Sequence, residues 1–172
     1  MLIDIQRPLD AAHYLEAAAR LAPDSKSTQL ALGRAYFLAD QLPKAIPVLQ
    51  KAIQRQPDSA EGHFILGLCY HRQRQSTEAI RSLKEAVGYD PTNGLAHYFL
   101  AESCLQQDNY TDALVAYSQA ADLLPNDPDA RAGMAVCYAR TNRPTEARRA
   151  AQAALGLDPN HTAARDLLTR LN

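Results

Sequence analysis

Five histidines and three cysteines are the side chains in this 172-residue sequence best suited to metal binding or nucleophilic chemistry. They are His13, His63, His71, His97 and His161, with Cys69, Cys104 and Cys137. A zinc site needs three or four convergent ligands and a second shell behind them. His63 and His97 lie 34 residues apart, a spacing that a repeat explains without a metal. A nucleophilic thiol needs a nearby base and an electropositive setting, and the sequence pairs no cysteine in a CxxC. The cysteines read as small buried hydrophobes. There is no G-x-x-x-x-G-K-[ST], no G-x-G-x-x-G, no H-E-x-x-H and no G-x-S-x-G. Asn109-Tyr110-Thr111 and Asn160-His161-Thr162 match the glycosylation acceptor pattern, but Asn and Thr are also ordinary turn formers. The expectation is a protein without catalysis, metal or cofactor.

The composition says what scaffold holds these residues. Ala and Leu number 31 and 23, while Ile and Val together number 10. That ratio favours helices over sheets, which draw on β-branched residues. Charge is level, with 18 Lys+Arg against 19 Asp+Glu, and neither half is strongly biased. A nucleic-acid surface is not expected. The apolar fraction of 47% argues against disorder. No apolar run reaches the length of a membrane span, and Asp4 interrupts the opening MLIDIQRPLD, which does not read as a signal peptide. An odd cysteine count without a disulfide framework points to a reducing, cytoplasmic setting.

A period of 34 residues organises the chain. Pro23, Pro57, Pro91, Pro125 and Pro159 keep it strictly. In phase with them run Leu32/Leu66/Leu100/Met134, Gly33/Gly67/Ala101/Ala135 and Tyr36/Tyr70/Cys104/Tyr138. Ala45/Ala79/Ala113/Ala147, Leu49/Leu83/Tyr117/Ala151 and Ala52/Ala86/Ala120/Ala154 follow. Such a period marks a stack of helix pairs, none of which buries its apolar faces alone. The small residues mark close helix approach, and each Pro blocks continuation of a helix. Pro47, one turn into a helix, is expected to bend it. The fourth repeat is alanine-rich and should pack with less area.

The L-G-x-x-Y…A…L/Y…A…P spacing resembles the tetratricopeptide repeat family. The resemblance covers residues 26–59, 60–93, 94–127 and 128–161 as full repeats of a single array. It adds a half repeat at 1–25 and a capping helix at 162–172. It implies an all-α fold: a right-handed superhelical α-solenoid of antiparallel helix pairs. It also implies that the first helix of each repeat lines a concave groove. The residues so placed include Leu30, Arg34 and Phe37 in the first full repeat, and Phe64, Ile65, Leu68, His71 and Arg72 in the second. The third adds Leu95, Tyr98, Phe99, Glu102 and Leu105. The fourth adds Asp129, Ala132, Gly133 and Arg140. An apolar floor with a rim of mixed charge is what a partner-binding groove looks like.

The function expected on these grounds is protein–protein interaction, as a scaffold or chaperone-like adaptor that holds an apolar or amphipathic peptide segment. A Glu-Glu-Val-Asp chaperone tail is not expected. The positions matching the family's carboxylate clamp are Leu30, Arg34, Ile65, Leu95 and Phe99, of which only Arg34 is basic. Two alternatives stay open. The groove could be filled by the chain's own terminus or by another copy. The open N-terminal edge, covered only by Met1–Ile5, could join two chains as a homodimer, which Ile3→Asp would abolish.

Overall fold

The computed structural model describes residues 8–22 and 25–171, and the described residues form ten helices and no strand. They are α1 (Pro8–Leu21), α2 (Lys26–Leu38), α3 (Leu42–Arg55), α4 (Ala60–Arg72) and α5 (Ser76–Tyr89), then α6 (Gly94–Leu105), α7 (Tyr110–Leu123), α8 (Asp129–Arg140), α9 (Pro144–Leu157) and α10 (Thr162–Arg170). The N-terminal segment Met1–Ile5 and Ile3 lie outside the described residues. The chain divides into two compact units, 1–89 and 90–172. In the first, α2 packs on α3 and α4 on α5, with α1 against α2 and α3 against α4. In the second, α6 packs on α7 and α8 on α9, with α7 against α8 and α10 against both α8 and α9. Pro47 sits inside α3 without ending it.

Each first helix opens beside a side-chain acceptor that keeps the 34-residue period, a cap at α2, α4, α6 and α10 and one residue before the cap Pro128 at α8. Ser25 accepts from the Thr28 N–H at 3.3 Å, Ser59 from Gly62 at 3.1 Å and Asn93 from Ala96 at 3.0 Å. Asp127 accepts from Asp129 at 2.9 Å, and His161 accepts from Ala164 through Nδ1 at 3.2 Å. These bonds satisfy N–H groups that a helix start leaves orphaned. The first helices also close alike. Asp40, Arg74, Asp108 and Asn142 all have φ of 56–57°, in the left-handed region. The next residue's N–H then reaches back five residues, Gln41 to Tyr36 at 2.8 Å and Gln75 to Tyr70 at 2.9 Å, and likewise Asn109 to Cys104 at 3.0 Å and Arg143 to Tyr138 at 2.9 Å. This is the Schellman closure that glycine usually serves.

The core is built from complementary sizes. An added Cβ on Gly33 would lie 2.5 Å from Leu49 Cδ2, and one on Gly67 would lie 2.6 Å from Leu83 Cγ. Leu49 and Leu83 are both fully buried. The small residues thus admit a leucine side chain from the second helix, and at Gly67 the Leu83 backbone nitrogen also comes within 3.4 Å of the added Cβ. Tyr117 holds the leucine position in the next repeat, and its ring lies over Gly133, where a Cβ would come within 2.3 Å. In the last pair both positions are alanine, and Ala135 and Ala151 belong to a core with Ala132, Ala154 and Ala164.

Arg74 is the one residue of the left-handed series that is neither Asp nor Asn, and a left-handed conformation costs an ordinary side chain about 1–2 kcal/mol. Arg74→Gly is expected to raise stability by about 0.5–1 kcal/mol, read as a higher urea midpoint at unchanged slope. A lowered midpoint would show that the Arg74 side chain contributes more than its backbone costs.

Candidate functional site

In the first unit the outer face of α2 and α4 carries Leu30, Leu38, Phe64, Leu68 and His71, all partly or well exposed. Two residues expected there are withdrawn from it. Ile65 is 5% exposed, and Phe37 is buried with the Arg72 guanidinium 4.3 Å from its ring centroid. Ile65 is spent on the core, and a cation already covers Phe37. The charges beside them are also partnered. Arg34 pairs with Glu61 at 3.1 Å, and Arg72 with Asp40 at 3.5 Å.

The second unit presents the corresponding face of α6 and α8. Leu95 is 48% exposed, and Tyr98, Phe99 and Leu105 are partly exposed. Tyr98 meets Phe99 edge-on at 5.3 Å and Tyr117 at 5.9 Å between ring centroids. Such aromatic geometry contributes about 0.5–1.5 kcal/mol per pair beyond area burial. Tyr117 donates its hydroxyl hydrogen to Glu102. Burial first, and the Glu102 charge second, push both phenols above their ordinary pKa. Glu102 therefore anchors a buried tyrosine as well as facing outward. Ala132 and Gly133, expected to line the groove, are buried: the Tyr117 ring lies over Gly133, and Ala132 belongs to the core with Ala135, Ala151, Ala154 and Ala164. Arg140 reaches Asp108 at 3.3 Å and the Tyr110 hydroxyl at 3.1 Å, and Asp129 accepts from His161 Nε2 at 3.0 Å. Asp40 and Asp108, at the left-handed turn position, and Tyr110, at the start of α7, are partners that residue type and register did not reveal, because each pairing is made only in the folded chain.

These ion pairs sit at the surface, where each is worth about 0–1 kcal/mol. A buried leucine contributes about 2–5 kcal/mol by comparison. The fold therefore rests on its core, and the rim charges are free to exchange partners at small cost.

His63 and His97 brace turns, and the cysteines are buried. His63 and His97 place Nε2 at 2.8 and 3.1 Å from the carbonyls of Pro57 and Pro91. Arg131 and Arg165 donate to the carbonyls of Pro125 and Pro159 from the same repeat position, at 3.0 and 2.6 Å. A polar side chain at the fourth position thus latches the turn six residues before it. The three cysteines are free and buried, and burial pushes the Cys69 thiol up to about 12 and the Cys137 thiol up to about 11. Among the described residues no group of three or more His, Cys, Asp or Glu side chains gathers as a metal would require. No described helix is long and apolar enough to cross a membrane.

The paired helices, the recurring caps and the recurring small-for-large packing have counterparts in known proteins. Family models described as tetratricopeptide repeat match residues 2–60 and 104–171. The model of the anaphase-promoting complex, cyclosome, subunit 3, matches residues 39–120. No curated protein sequence matches significantly. Among solved structures, YrrB, described as a TPR protein with an unusual peptide-binding site, superposes with a TM-score of 0.86 at 18% identity, over 96% of this chain and 85% of that one. A MamA structure gives 0.85 at 21% identity, over 94% and 99%. The MamA fragment 41-end from Desulfovibrio magneticus RS-1 gives 0.82 at 19%, over 90% and 87%. The sequence period, its structural consequences and the family models agree, and the chain belongs to the tetratricopeptide repeat family.

Proposed function

We propose that the protein is a non-catalytic adaptor that binds an apolar or amphipathic peptide segment of another protein through the outer faces of its first helices. The tetratricopeptide fold supports a protein–protein interaction module. The observation that carries the finer reading is α6, whose apolar residues are not confined to one stripe. Its inner residues Ala96, Leu100, Ala101 and Cys104 fill the core, while Leu95, Tyr98, Phe99 and Leu105 keep surface on the other side. A helix that serves only its own core needs one apolar stripe. In the first unit Leu30, Phe64 and Leu68 extend the same character to α2 and α4. Each unit offers its own face: the partner's side chains bury against Leu68 in the first, where Arg34 and Arg72 can exchange their present partners, and against Leu95 and Phe99 in the second, where Glu102 and Arg140 can do the same. A Glu-Glu-Val-Asp tail remains outside this reading, because the face lacks clustered cations. The work of such a scaffold or chaperone-like adaptor would be done in the cytoplasm.

A second reading, self-association, rests on α1. Tyr14 and Leu21 are 73% and 88% exposed. With Ala11 and Ala18 they form a stripe spaced three and four residues apart, the pattern of a helix seam.

Peptides selected from a random display library against the full chain are expected to carry apolar residues. The double variant Leu68→Glu, Leu95→Glu should weaken them at least tenfold, about 1.4 kcal/mol, with unchanged helical circular dichroism. Equal affinity would remove these faces from the function. Sedimentation equilibrium separates the second reading. A mass that rises with concentration, and is lost in Tyr14→Glu, Leu21→Glu, supports a homodimer through α1. A monomer at every concentration overturns it.

A further inference from the structure

The first unit carries a concavity that shares no residue with the face just described. The helices α3 and α5 both pack on α4 and leave between them a cleft of about 460 Å³. Ile53, Leu66 and Tyr70 give it an apolar floor, and Arg81, Ser82 and Glu85 line it from α5.

Three observations indicate that the cleft is built to receive something. Ser82 is only 5% exposed, yet its hydroxyl bonds to no described residue and keeps contact with solvent, to which the cleft gives access. The same repeat position holds Val48, Ala116 and Ala150 elsewhere, so helix packing does not ask for a hydroxyl. Tyr70 is buried and accepts a hydrogen bond from Gln50 Nε2 at 2.9 Å, which leaves its own hydroxyl hydrogen to be donated. Arg81 and Glu85 stand exposed on the rim, one helical turn apart, with no ion-pair partner among the described residues.

The geometry points to a binding site for an extended peptide segment that carries an acidic and a basic side chain two residues apart. Four residues of helix separate Arg81 from Glu85 by about 6 Å along the axis. Two residues of extended chain span about 6.6–6.8 Å and place their side chains on one side. A carboxylate then meets Arg81 while an ammonium or guanidinium meets Glu85. The segment's carbonyls accept from the Ser82 and Tyr70 hydroxyls. A helical occupant could match the two charges, but its carbonyls are already bonded within the helix, and the two buried hydroxyls would stay unused. The intervening side chain points away from the wall, so the site reads charge order rather than shape.

The test uses the full chain and two capped peptides, Ala-Asp-Leu-Lys-Ala and Ala-Lys-Leu-Asp-Ala, titrated by NMR. The natural chain is expected to prefer one order at least threefold, with shifts centred on Tyr70 and Ser82. The double variant Arg81→Glu, Glu85→Lys changes only exposed side chains and should prefer the opposite order. Ser82→Ala should weaken both peptides at least threefold without altering the preference. Absence of binding at millimolar peptide, absence of an order preference, or the same preference in the natural and charge-swapped chains would overturn the assignment.

Discussion

The structure depends on matched side-chain sizes between the two helices of a repeat, most tightly where a leucine lies over a glycine that has no Cβ. Leu49 against Gly33 and Leu83 against Gly67 draw the two helices of a repeat together. The approach is close enough that a single methyl would collide at about 2.5 Å. Packing of this density contributes through many weak contacts that vanish if the helices part. Where the leucine is replaced by Tyr117, the ring turns toward Gly133 and the following helix, and Ala101 is tolerated in the glycine position. Where both partners are alanine, at Ala135 and Ala151, the pair closes on small side chains alone. The four repeats thus solve one geometric problem with different size pairs.

Because this lock and the alanines around it satisfy the interior, the remaining apolar residues of the first helices are left over. Leu95 is exposed and Leu68 partly so, and the proposed binding faces draw on that remaining apolar surface. The same logic separates Ile65 and Phe37 from the face. Both had the right residue type and the right register, but one is absorbed by packing and the other by the Arg72 guanidinium. The surface ion pairs come last in this hierarchy, worth less than any buried leucine.

The 34-residue period made the helix pairs legible, since proline, glycine and tyrosine recur at fixed offsets. Two other series were equally periodic and easier to overlook. The helix-opening acceptors Ser25, Ser59, Asn93, Asp127 and His161 share a role but not a residue type, so the role shows only in the hydrogen bonds. The left-handed series includes Arg74, a residue with no turn preference of its own. The candidate faces were less legible than the fold. Register says which way a side chain points, but whether it meets solvent depends on neighbours far along the chain, such as Arg72 above Phe37. The exposed Tyr14 and Leu21 and the hydroxyl of Ser82 had no sequence signal, because each is defined by what surrounds it.

The most direct test of the size-complementarity at the centre of this account is a double-mutant cycle on Gly67→Ala and Leu83→Ala, followed by urea unfolding. Gly67→Ala alone is expected to cost about 1–3 kcal/mol by overpacking, and Leu83→Ala alone about 2–5 kcal/mol by leaving a cavity. The double variant recreates the alanine pair of Ala135 and Ala151, and should cost at least about 1 kcal/mol less than the two changes added together. Strictly additive costs would contradict the claim that these two positions are fitted to each other.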